Sequence, residues 1–299
     1  MSLLVIGTLA YDTVETPHAR RERALGGSAV YFAAAASTFG PVRLCGVVGE
    51  DFDEVHLQEL RARGVDTSGV ERVPGKSFHW GGRYGEDWNS RTTLFTHLNV
   101  LEHFHPKLPP AFRDSKFVFL ANAEPKVQLE ALEQCPERKF VLADTMNFWI
   151  EKYLPDLQRV LRKVDGVVLN DEEARMLAGE SNLIRAARKV LEMGPRYVLL
   201  KKGEHGAFLI GRDTHFSLPA YPVVEVVDPT GAGDCFAGGF MAAVAAAGNT
   251  TPGTLRRAML YGTVTASYCV QGFSTEDIGK RTRAEVDARF AELLEITTV

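Results

Sequence analysis

Apolar residues recur along the chain in two alternating patterns. Short apolar runs, such as residues 3–7, 42–48 and 117–121, predict buried strands. Longer segments whose apolar residues are spaced three or four apart, such as 51–63 and 183–193, predict helices. Strands that alternate with helices predict a mostly parallel central sheet with helices on both faces, which is an α/β fold.

The same pattern predicts the following elements in chain order. The predicted strands are 3–7, 42–48, 117–121, 140–143, 167–169, 197–200, 207–210 (antiparallel) and 223–227. The predicted helices are 29–39, 51–63, 126–134, 154–164, 171–177, 183–193, 233–248, 254–269 and 283–296.

Residues 77–98 do not follow this alternation of strands and helices. Apolar or aromatic side chains alternate with other residues before and after the turn-forming sequence Gly85-Glu86-Asp87. This two-residue period predicts a β-hairpin inserted into the α/β chain. Because no linker or internal repeat divides the sequence, we expect one domain over residues 1–299.

The composition and charge of the chain exclude some classes of protein. The chain has 299 residues, 45% hydrophobic and 24% charged, with a net charge of -4 and a pI near 6.1. Nucleic-acid binders usually carry a basic domain, so no nucleic-acid partner is expected. No apolar run reaches the roughly 18 residues that a membrane span needs. The four cysteines form no CxxC pair and the apolar N-terminus is short, which favours a cytoplasmic protein with reduced thiols.

The segment Asp228–Asp234, with the sequence Asp-Pro-Thr-Gly-Ala-Gly-Asp, carries the clearest chemistry. It lies before a predicted helix, whose first N–H groups and dipole favour anions, and its glycines allow close approach of a ligand. A carboxylate beside an anion site makes sense as a base. Asp234 would take the proton from an attacking hydroxyl while the amides of Gly231, Ala232 and Gly233 stabilise charge on a phosphoryl group.

With Cys235 to Gly239 added, this segment resembles the C-terminal signature of the PfkB, or ribokinase-like, carbohydrate kinase family. The resemblance implies a ribokinase-like fold with a small β lid, here residues 12–24 and 77–98. It also implies ATP as phosphoryl donor, Mg²⁺, and transfer of the γ-phosphoryl group to a hydroxyl of a sugar or related polyol.

The resemblance extends to the predicted acceptor site. Gly26 and Gly27 precede an alanine-rich helix, as in the N-terminal signature of the family, where backbone amides approach the substrate. Asp12 follows the first strand, and in similar kinases an aspartate there binds substrate hydroxyls. The family usually has asparagine four residues after the second glycine, where this chain has Tyr31. Tyr31 remains a predicted substrate contact, and it leaves room for a base or a differently shaped polyol.

Other matched positions concern nucleotide and metal. Asn170 and Glu173 resemble the family's Asn-x-x-Glu motif, which would organise Mg²⁺ through water, and they also fit a helix capping box. Nucleotide contacts are expected from Lys201, Gly203, Gly206 and Thr230. Asp228, with Thr230, matches positions that bind a monovalent cation such as K⁺ in some relatives.

Alternatives remain open from the sequence. A nucleoside kinase of the same fold is favoured by Tyr31 and by the lid aromatics Trp80, Tyr84 and Trp88. A nucleotide-binding protein without turnover is the alternative outside the enzyme class. In similar enzymes the lid often mediates dimers, which implies a homodimer through the lid. The lid arginines Arg83 and Arg91 are candidate contacts for a charged substrate.

Overall fold

A nine-stranded sheet forms the centre of the computed structural model, which describes residues 2–298. Met1 and Val299, the ends of the predicted domain, lie outside the described residues. The strands are β1 (Leu3–Ile6), β2 (Ala10–Glu15), β3 (Arg20–Gly26), β4 (Val42–Val48), β5 (Val65–Arg72), β6 (Phe78–Tyr84), β7 (Arg91–His97), β8 (Phe117–Leu120), β9 (Phe140–Asp144), β10 (Gly166–Asn170), β11 (Tyr197–Lys201), β12 (Ala207–Gly211) and β13 (His215–Leu218).

The order of strands in the central sheet is β13-β12-β11-β10-β9-β8-β1-β4-β5. Every neighbouring pair is parallel except β11–β12 and β12–β13. Along β1, Leu3 and Val5 pack into one apolar cluster, whereas Leu4 and Ile6 pack into another. Both faces of the sheet are therefore covered, as the apolar runs predict.

In the part of the chain that the structure describes, ten α-helices cover these two faces. They are α1 (Ser28–Ala36), α2 (Glu54–Ala62), α3 (Pro125–Glu133), α4 (Asn147–Lys152), α5 (Leu154–Leu161), α6 (Asp171–Ala178), α7 (Leu183–Glu192), α8 (Ala232–Ala247), α9 (Pro252–Cys269) and α10 (Arg283–Thr297). Helices α1, α2, α8, α9 and α10 pack on one face, and α3 to α7 pack on the other. Within residues 2–298, no helix combines the length and apolar character needed to cross a membrane.

A second sheet of four strands stands apart from the first, in the order β3-β2-β6-β7. Strands β2 and β6 pair in parallel in its middle, and β3 and β7 pair antiparallel at its edges. The hairpin predicted from residues 77–98 is β6–β7, and the rest of this sheet comes from residues 10–26. We call this four-stranded sheet the lid sheet.

Some elements differ from the sequence pattern. Residues 223–227 form no strand, although their valines favour one. The central sheet ends at β13, and Pro219 and Pro222 interrupt the chain before this segment, so the valines have no adjacent strand to pair with. Strands β5 and β13 and helix α4 were not predicted. The elements β13 and α4 are short, and β5 carries polar residues and Gly69 between its valines, so the apolar signal of all three is weak.

The parallel strands bring polar residues to one edge of the central sheet. Asp144, Asn170 and Lys201 are the last residues of β9, β10 and β11, which are neighbours. Their side chains therefore meet where the carboxyl ends of the strands open into a cleft, the usual place for a ligand in such a sheet.

Candidate active site

Helix α8 begins at this cleft. Its N-cap Gly231 has a φ of 77°, a left-handed conformation that favours glycine. A side chain at Gly231 would overlap the ring of Tyr31. The N–H groups of Gly231 and Gly233 have no acceptor in residues 2–298, whereas the N–H of Ala232 donates to the carbonyl of Pro229 at 3.2 Å. The free amides and the helix dipole make this turn an anion site.

Asp234 lies in the first turn of α8 and belongs to a cluster of charged groups. Burial, followed by the charge of Asp144, raises the pKa of Asp234 well above its usual range. The positive charge of Lys201 opposes this effect on Asp234. The Nζ of Lys201 also lies 3.5 Å from Asp144 Oδ2. A side chain at Gly233 would come within 2.8 Å of that Nζ, so Lys201 lies directly against the start of the helix.

Lys201 is held by several carboxylates. Burial lowers its pKa, but the charges of Asp144, Glu173 and Asp234 outweigh burial, and the pKa is raised overall. Lys201 is therefore a permanent cation at the phosphate end of the cleft. Asp144 is fixed in turn, because its Oδ1 accepts from the N–H of Thr145 at 2.8 Å.

Asn170 and Glu173 form the capping box that their spacing predicts. The Asn170 side chain accepts from the N–H of Glu173 at 2.7 Å, and Glu173 Oε2 accepts from the N–H of Asn170 at 2.8 Å. Burial raises the pKa of Glu173 to about 7. The other carboxylate oxygen of Glu173 accepts no hydrogen bond from residues 2–298, so it is available to a water ligand of Mg²⁺.

Within residues 2–298, no group of three or more histidine, cysteine, aspartate or glutamate side chains could hold a metal ion directly.

The lid sheet supplies the other side of the cleft. Asp12 lies on β2 and is 5% exposed, and a side chain at Gly26 would overlap its carboxylate. Gly27 has a φ of 99°, and the nearby carbonyl of Thr8 leaves no space for a side chain. Burial and the charge of Asp228 raise the pKa of Asp12 to about 7, although a hydrogen bond from the backbone of Gly27 opposes them.

Tyr31 lies between these two sides. It is 2% exposed, and its hydroxyl has no hydrogen-bond partner in residues 2–298. Burial, together with the charges of Asp12 and Asp228, raises the pKa of Tyr31 well above its usual value. The hydroxyl therefore stays protonated and is a buried, unused donor beside two carboxylates.

Asp228 and Thr230 lie beneath the lid sheet. Asp228 Oδ1 accepts from the N–H of Thr230 at 2.8 Å, whereas the buried Oδ2 has no partner in the described chain. Burial raises the pKa of Asp228 to about 6. An unpaired buried carboxylate oxygen fits a monovalent cation at this position. The Thr230 hydroxyl donates to the hydroxyl of Tyr84, 3.2 Å away on the lid sheet.

The loop after β11, Gly203–Gly206, also meets the lid sheet. A side chain at Gly203 would overlap Asn89, which lies in the turn between β6 and β7. The Asn89 side chain donates to Glu204 at 3.4 Å. The structure thus brings the predicted nucleotide residue Gly203 under the tip of the hairpin, whereas Gly206, with a φ of 84°, lies against Leu218 and Pro219 after β13.

Two features of the cleft were not predicted. Asp144 was not among the predicted site residues, although an aspartate that ends a parallel strand is itself a signal for the cleft. Asn122 was not among them either. It accepts from the indole N–H of Trp149 at 2.8 Å and lies against Met146.

Residues 2–281 match the pfkB family carbohydrate kinase domain. The chain belongs to the pfkB family of carbohydrate kinases. The kinase is 32% identical to the cytidine kinase of Thermococcus kodakarensis over 249 residues, 81% of this chain and 88% of that protein. It is 27% identical to the deoxyribokinase of Salmonella typhi over 274 residues, 89% of this chain and 87% of that protein.

Solved structures agree on the fold. An Escherichia coli protein described as ribokinase II, in complex with ATP and Mg²⁺, superposes with a TM-score of 0.78. The superposition covers 97% of this chain and 99% of that one, at 20% identity. The predicted ribokinase-like α/β fold is therefore confirmed, and the kinase is a phosphotransferase as its Asp-Pro-Thr-Gly-Ala-Gly-Asp segment indicates.

Proposed function

We propose that this kinase transfers the γ-phosphoryl group of ATP to a primary hydroxyl of a nucleoside. Asp234 acts as the base, and the start of α8 binds the transferring group. The loop Gly203–Gly206 contacts the nucleotide, and Lys201 contacts its phosphates. Asn170 and Glu173 would hold Mg²⁺ through water, and the ion would supply charge neutralisation between the phosphates.

One observation carries the choice of acceptor. Asp12 on β2 and Trp80 on β6 are register partners in the lid sheet, so their side chains project from the same face. A carboxylate can accept from two hydroxyls of a ribose, and a neighbouring indole offers a flat apolar surface for a base. Tyr31 adds an unpaired hydroxyl nearby. The similarity to a cytidine kinase supports the same conclusion.

A free sugar is the second candidate. The similarity to a deoxyribokinase over most of both chains favours it, and Asp12 alone could bind sugar hydroxyls. In this case Trp80 would serve only to pack the lid sheet against the apolar group of Val14, Tyr84 and Phe273.

A panel of acceptors tests the proposal. ADP release would be measured with cytidine, inosine, ribose, deoxyribose and fructose at fixed ATP and Mg²⁺, with Asp234→Asn as the control for background hydrolysis. We expect kcat/KM for at least one nucleoside to exceed that for every sugar. Equal efficiency with a sugar would favour the second candidate. ATP binding without transfer to any acceptor would indicate a nucleotide-binding protein without turnover.

We further propose that the chain is one kinase domain whose lid sheet closes on the acceptor, and that it works in the cytoplasm with its four buried, free cysteines reduced. Asp228 Oδ2 is the proposed contact of a monovalent cation. Comparing the activity in a K⁺ salt with the activity in a tetraalkylammonium salt would test this contact.

The face of the lid sheet opposite Trp80 carries His79, Phe95 and His97 in mutual contact and ends at the open edge of β7. A homodimer through this face would be visible by sedimentation.

A further inference from the structure

A small pocket lies at the opposite end of helix α8 from the phosphate site. Its volume is about 180 Å³, and its apolar lining comes from Ala243, Ala246 and Ala247 of α8 and from Phe39, which follows α1. Helix α8 has 16 residues, and a rise of about 1.5 Å per residue places the pocket about 20 Å from Gly231. A molecule in this pocket would therefore be bound apart from the phosphoryl group that is transferred.

Two arginines line the same pocket and meet at one hydroxyl group. Arg257 of α9 and Arg283 of α10 each donate from Nη2 to the hydroxyl of Tyr261 at 3.2 Å. Tyr261 is 3% exposed, and its hydroxyl donates to Asp287 Oδ1 at 2.8 Å. The two guanidinium groups are therefore close neighbours that share one carboxylate, which leaves an excess of positive charge beside the pocket.

The two arginines differ in how their charges are paired. Arg283 Nε lies 2.9 Å from Asp287 Oδ2, whereas no carboxylate of residues 2–298 lies within ion-pair distance of Arg257. Within the same residues, Arg257 Nε and Nη1 and Arg283 Nη1 donate to no acceptor in the protein. Three donor groups of the arginines are thus available to a ligand.

Aromatic rings hold both guanidinium groups in place. The guanidinium carbon of Arg283 lies 4.4 Å from the centre of the Phe39 ring, and that of Arg257 lies 4.6 Å from the centre of the Phe290 ring. An arginine that lies over a ring keeps the N–H groups at the edge of its plane free to bind an oxyanion. The donors are therefore positioned before any ligand arrives.

The size and lining of the pocket limit the class of ligand. A single water needs only about 10 to 15 Å³ of such volume, so the pocket admits a molecule larger than a bare ion. Paired guanidinium donors suit the oxygens of a phosphate or a carboxylate, and the alanines of α8 and the ring of Phe39 suit a carbon chain.

We propose that this pocket binds a small organic oxyanion, a phosphate ester or a carboxylate with a short carbon body. Arg257 and Arg283 bind the oxygens, and the end of α8 binds the carbon body. The ligand would contact the ends of α1 and α8, the two helices whose first turns follow Gly27 and Gly231 in the cleft. The proposal is independent of the acceptor assigned above, because none of these residues lines the cleft.

Calorimetry with the full-length kinase tests the proposal. The protein is first saturated with Mg²⁺ and a non-hydrolysable ATP analogue, so that the phosphate site is filled. The probes are glycerol 3-phosphate and butyrate, at constant ionic strength because salt screens exposed charges. We expect saturable binding of at least one probe. Binding of glycerol 3-phosphate alone would assign the site to phosphate esters, and binding of butyrate alone would assign it to carboxylates.

A matched pair of variants tests the arginine. Arg257→Ala should weaken the binding at least about tenfold, because it removes charged hydrogen-bond donors. Arg256→Ala should stay within about twofold of wild type, because the neighbouring arginine lies outside the pocket and 5.8 Å from the centre of the Phe216 ring. Arg257→Lys should also bind more weakly than wild type, since lysine keeps the charge but lacks the planar fork.

A further variant tests the cavity while both arginines are kept. Ala246→Leu adds a larger side chain at an exposed position of α8 that lines the pocket, and leucine is a good helix former. We expect this variant to lose the saturable binding. Thermal unfolding without ligand checks that each variant is folded.

Three results would overturn the proposal. They are the absence of saturable binding of either probe up to tens of millimolar, equal losses of affinity in Arg257→Ala and Arg256→Ala, and wild-type affinity in Ala246→Leu. If Arg257→Ala failed to fold, Arg257→Lys and Ala246→Leu would decide by the same measurements.

Discussion

The two sides of the cleft handle buried charge differently. On the phosphate side, Asp144, Glu173 and Asp234 share Lys201, a cation fixed at the end of β11. On the acceptor side, the charge of Asp228 raises the pKa of Asp12, and no lysine of residues 2–298 lies between the two carboxylates. Their neighbour is Tyr31, a neutral donor without a partner.

The difference lies in the cation, because burial raises the pKa of carboxyl groups on both sides. On the phosphate side, Lys201 stays ionised because the charges of three carboxylates outweigh the effect of burial on its pKa. The acceptor side has unused hydrogen-bonding capacity that a ligand with several hydroxyls would satisfy, and its carboxylate titrates near neutral pH. We therefore expect substitutions on the phosphate side to affect turnover, and substitutions on the acceptor side to affect acceptor affinity.

Asp234→Asn should have the largest effect. An amide cannot take the proton of the acceptor hydroxyl, so kcat should fall about 100- to 10,000-fold, with nucleotide affinity largely retained. Steady-state kinetics and calorimetry with an ATP analogue measure the two quantities. Asp213→Asn, in the turn between β12 and β13 far from the cleft, is the control. Near wild-type turnover in Asp234→Asn would disprove the assignment of the base.

Lys201→Met should have the next largest effect. It leaves three carboxylates without their shared cation, and the triphosphate must then approach uncompensated negative charge. We expect kcat/KM for ATP to fall about 10- to 100-fold. Lys202→Met is the matched control, since the neighbouring lysine points away from the cleft and lies 4.5 Å from the ring of Phe208. Equal losses in both variants would remove Lys201 from the phosphate site.

These residues differ in how far the sequence could specify them. The start of α8 and the Asn170–Glu173 capping box follow from local sequence, because the glycines and the cap are fixed by residues within a few positions. The ion pair of Asp144 and Lys201 joins residues 57 positions apart, and only the parallel order of β9, β10 and β11 brings them together. Periodicity predicts such a sheet but gives no order of strands.

The acceptor side was harder to predict for a second reason. Tyr31 was predicted to contact substrate because of its position after Gly27, and the sequence could not indicate that its ring would lie against Gly231. That contact joins residue 31 to residue 231, across about two thirds of the chain. The strand predicted at residues 223–227 does not form for a similar reason, since strand formation depends on a neighbouring strand and not on the propensity of the valines alone.

Tyr31→Phe should have a smaller effect, confined to the acceptor. The hydroxyl has no partner in the described chain, so its removal should change the free energy of unfolding by less than about 0.5 kcal/mol, and acceptor KM should rise about tenfold. Tyr84→Phe is the contrast, because it removes the acceptor of the Thr230 hydrogen bond and should cost about 1 kcal/mol. Denaturant unfolding and acceptor kinetics measure both. An unchanged KM in Tyr31→Phe would make Tyr31 a packing residue only.

The smallest expected effect is the pH dependence of the acceptor side. Burial and Asp228 raise the pKa of Asp12 from 3.8 to about 7, so protonation below pH 7 removes the carboxylate that would accept from the substrate hydroxyls. Acceptor KM should rise about eightfold between pH 7.5 and pH 6 because the ionised fraction of a group with a pKa of about 7 falls by about that factor. In Asp12→Asn the KM should be high and independent of pH in this range. A pH-dependent KM in that variant would assign the titration to another group.

The direction in which the free energy of unfolding changes with pH also tests the assignment of this titration to Asp12. A carboxyl group whose pKa is raised by folding stabilises the fold below its unfolded pKa, and this contribution is lost as the pH rises through the folded value. For Asp12 the loss runs from about pH 4 to pH 7, the interval between the two pKa values. Relative to wild type, Asp12→Asn should therefore gain stability to urea as the pH rises from 5 to 8. A gain that shrank over this range would mean that Asp12 is stabilised as a carboxylate, contrary to the raised pKa.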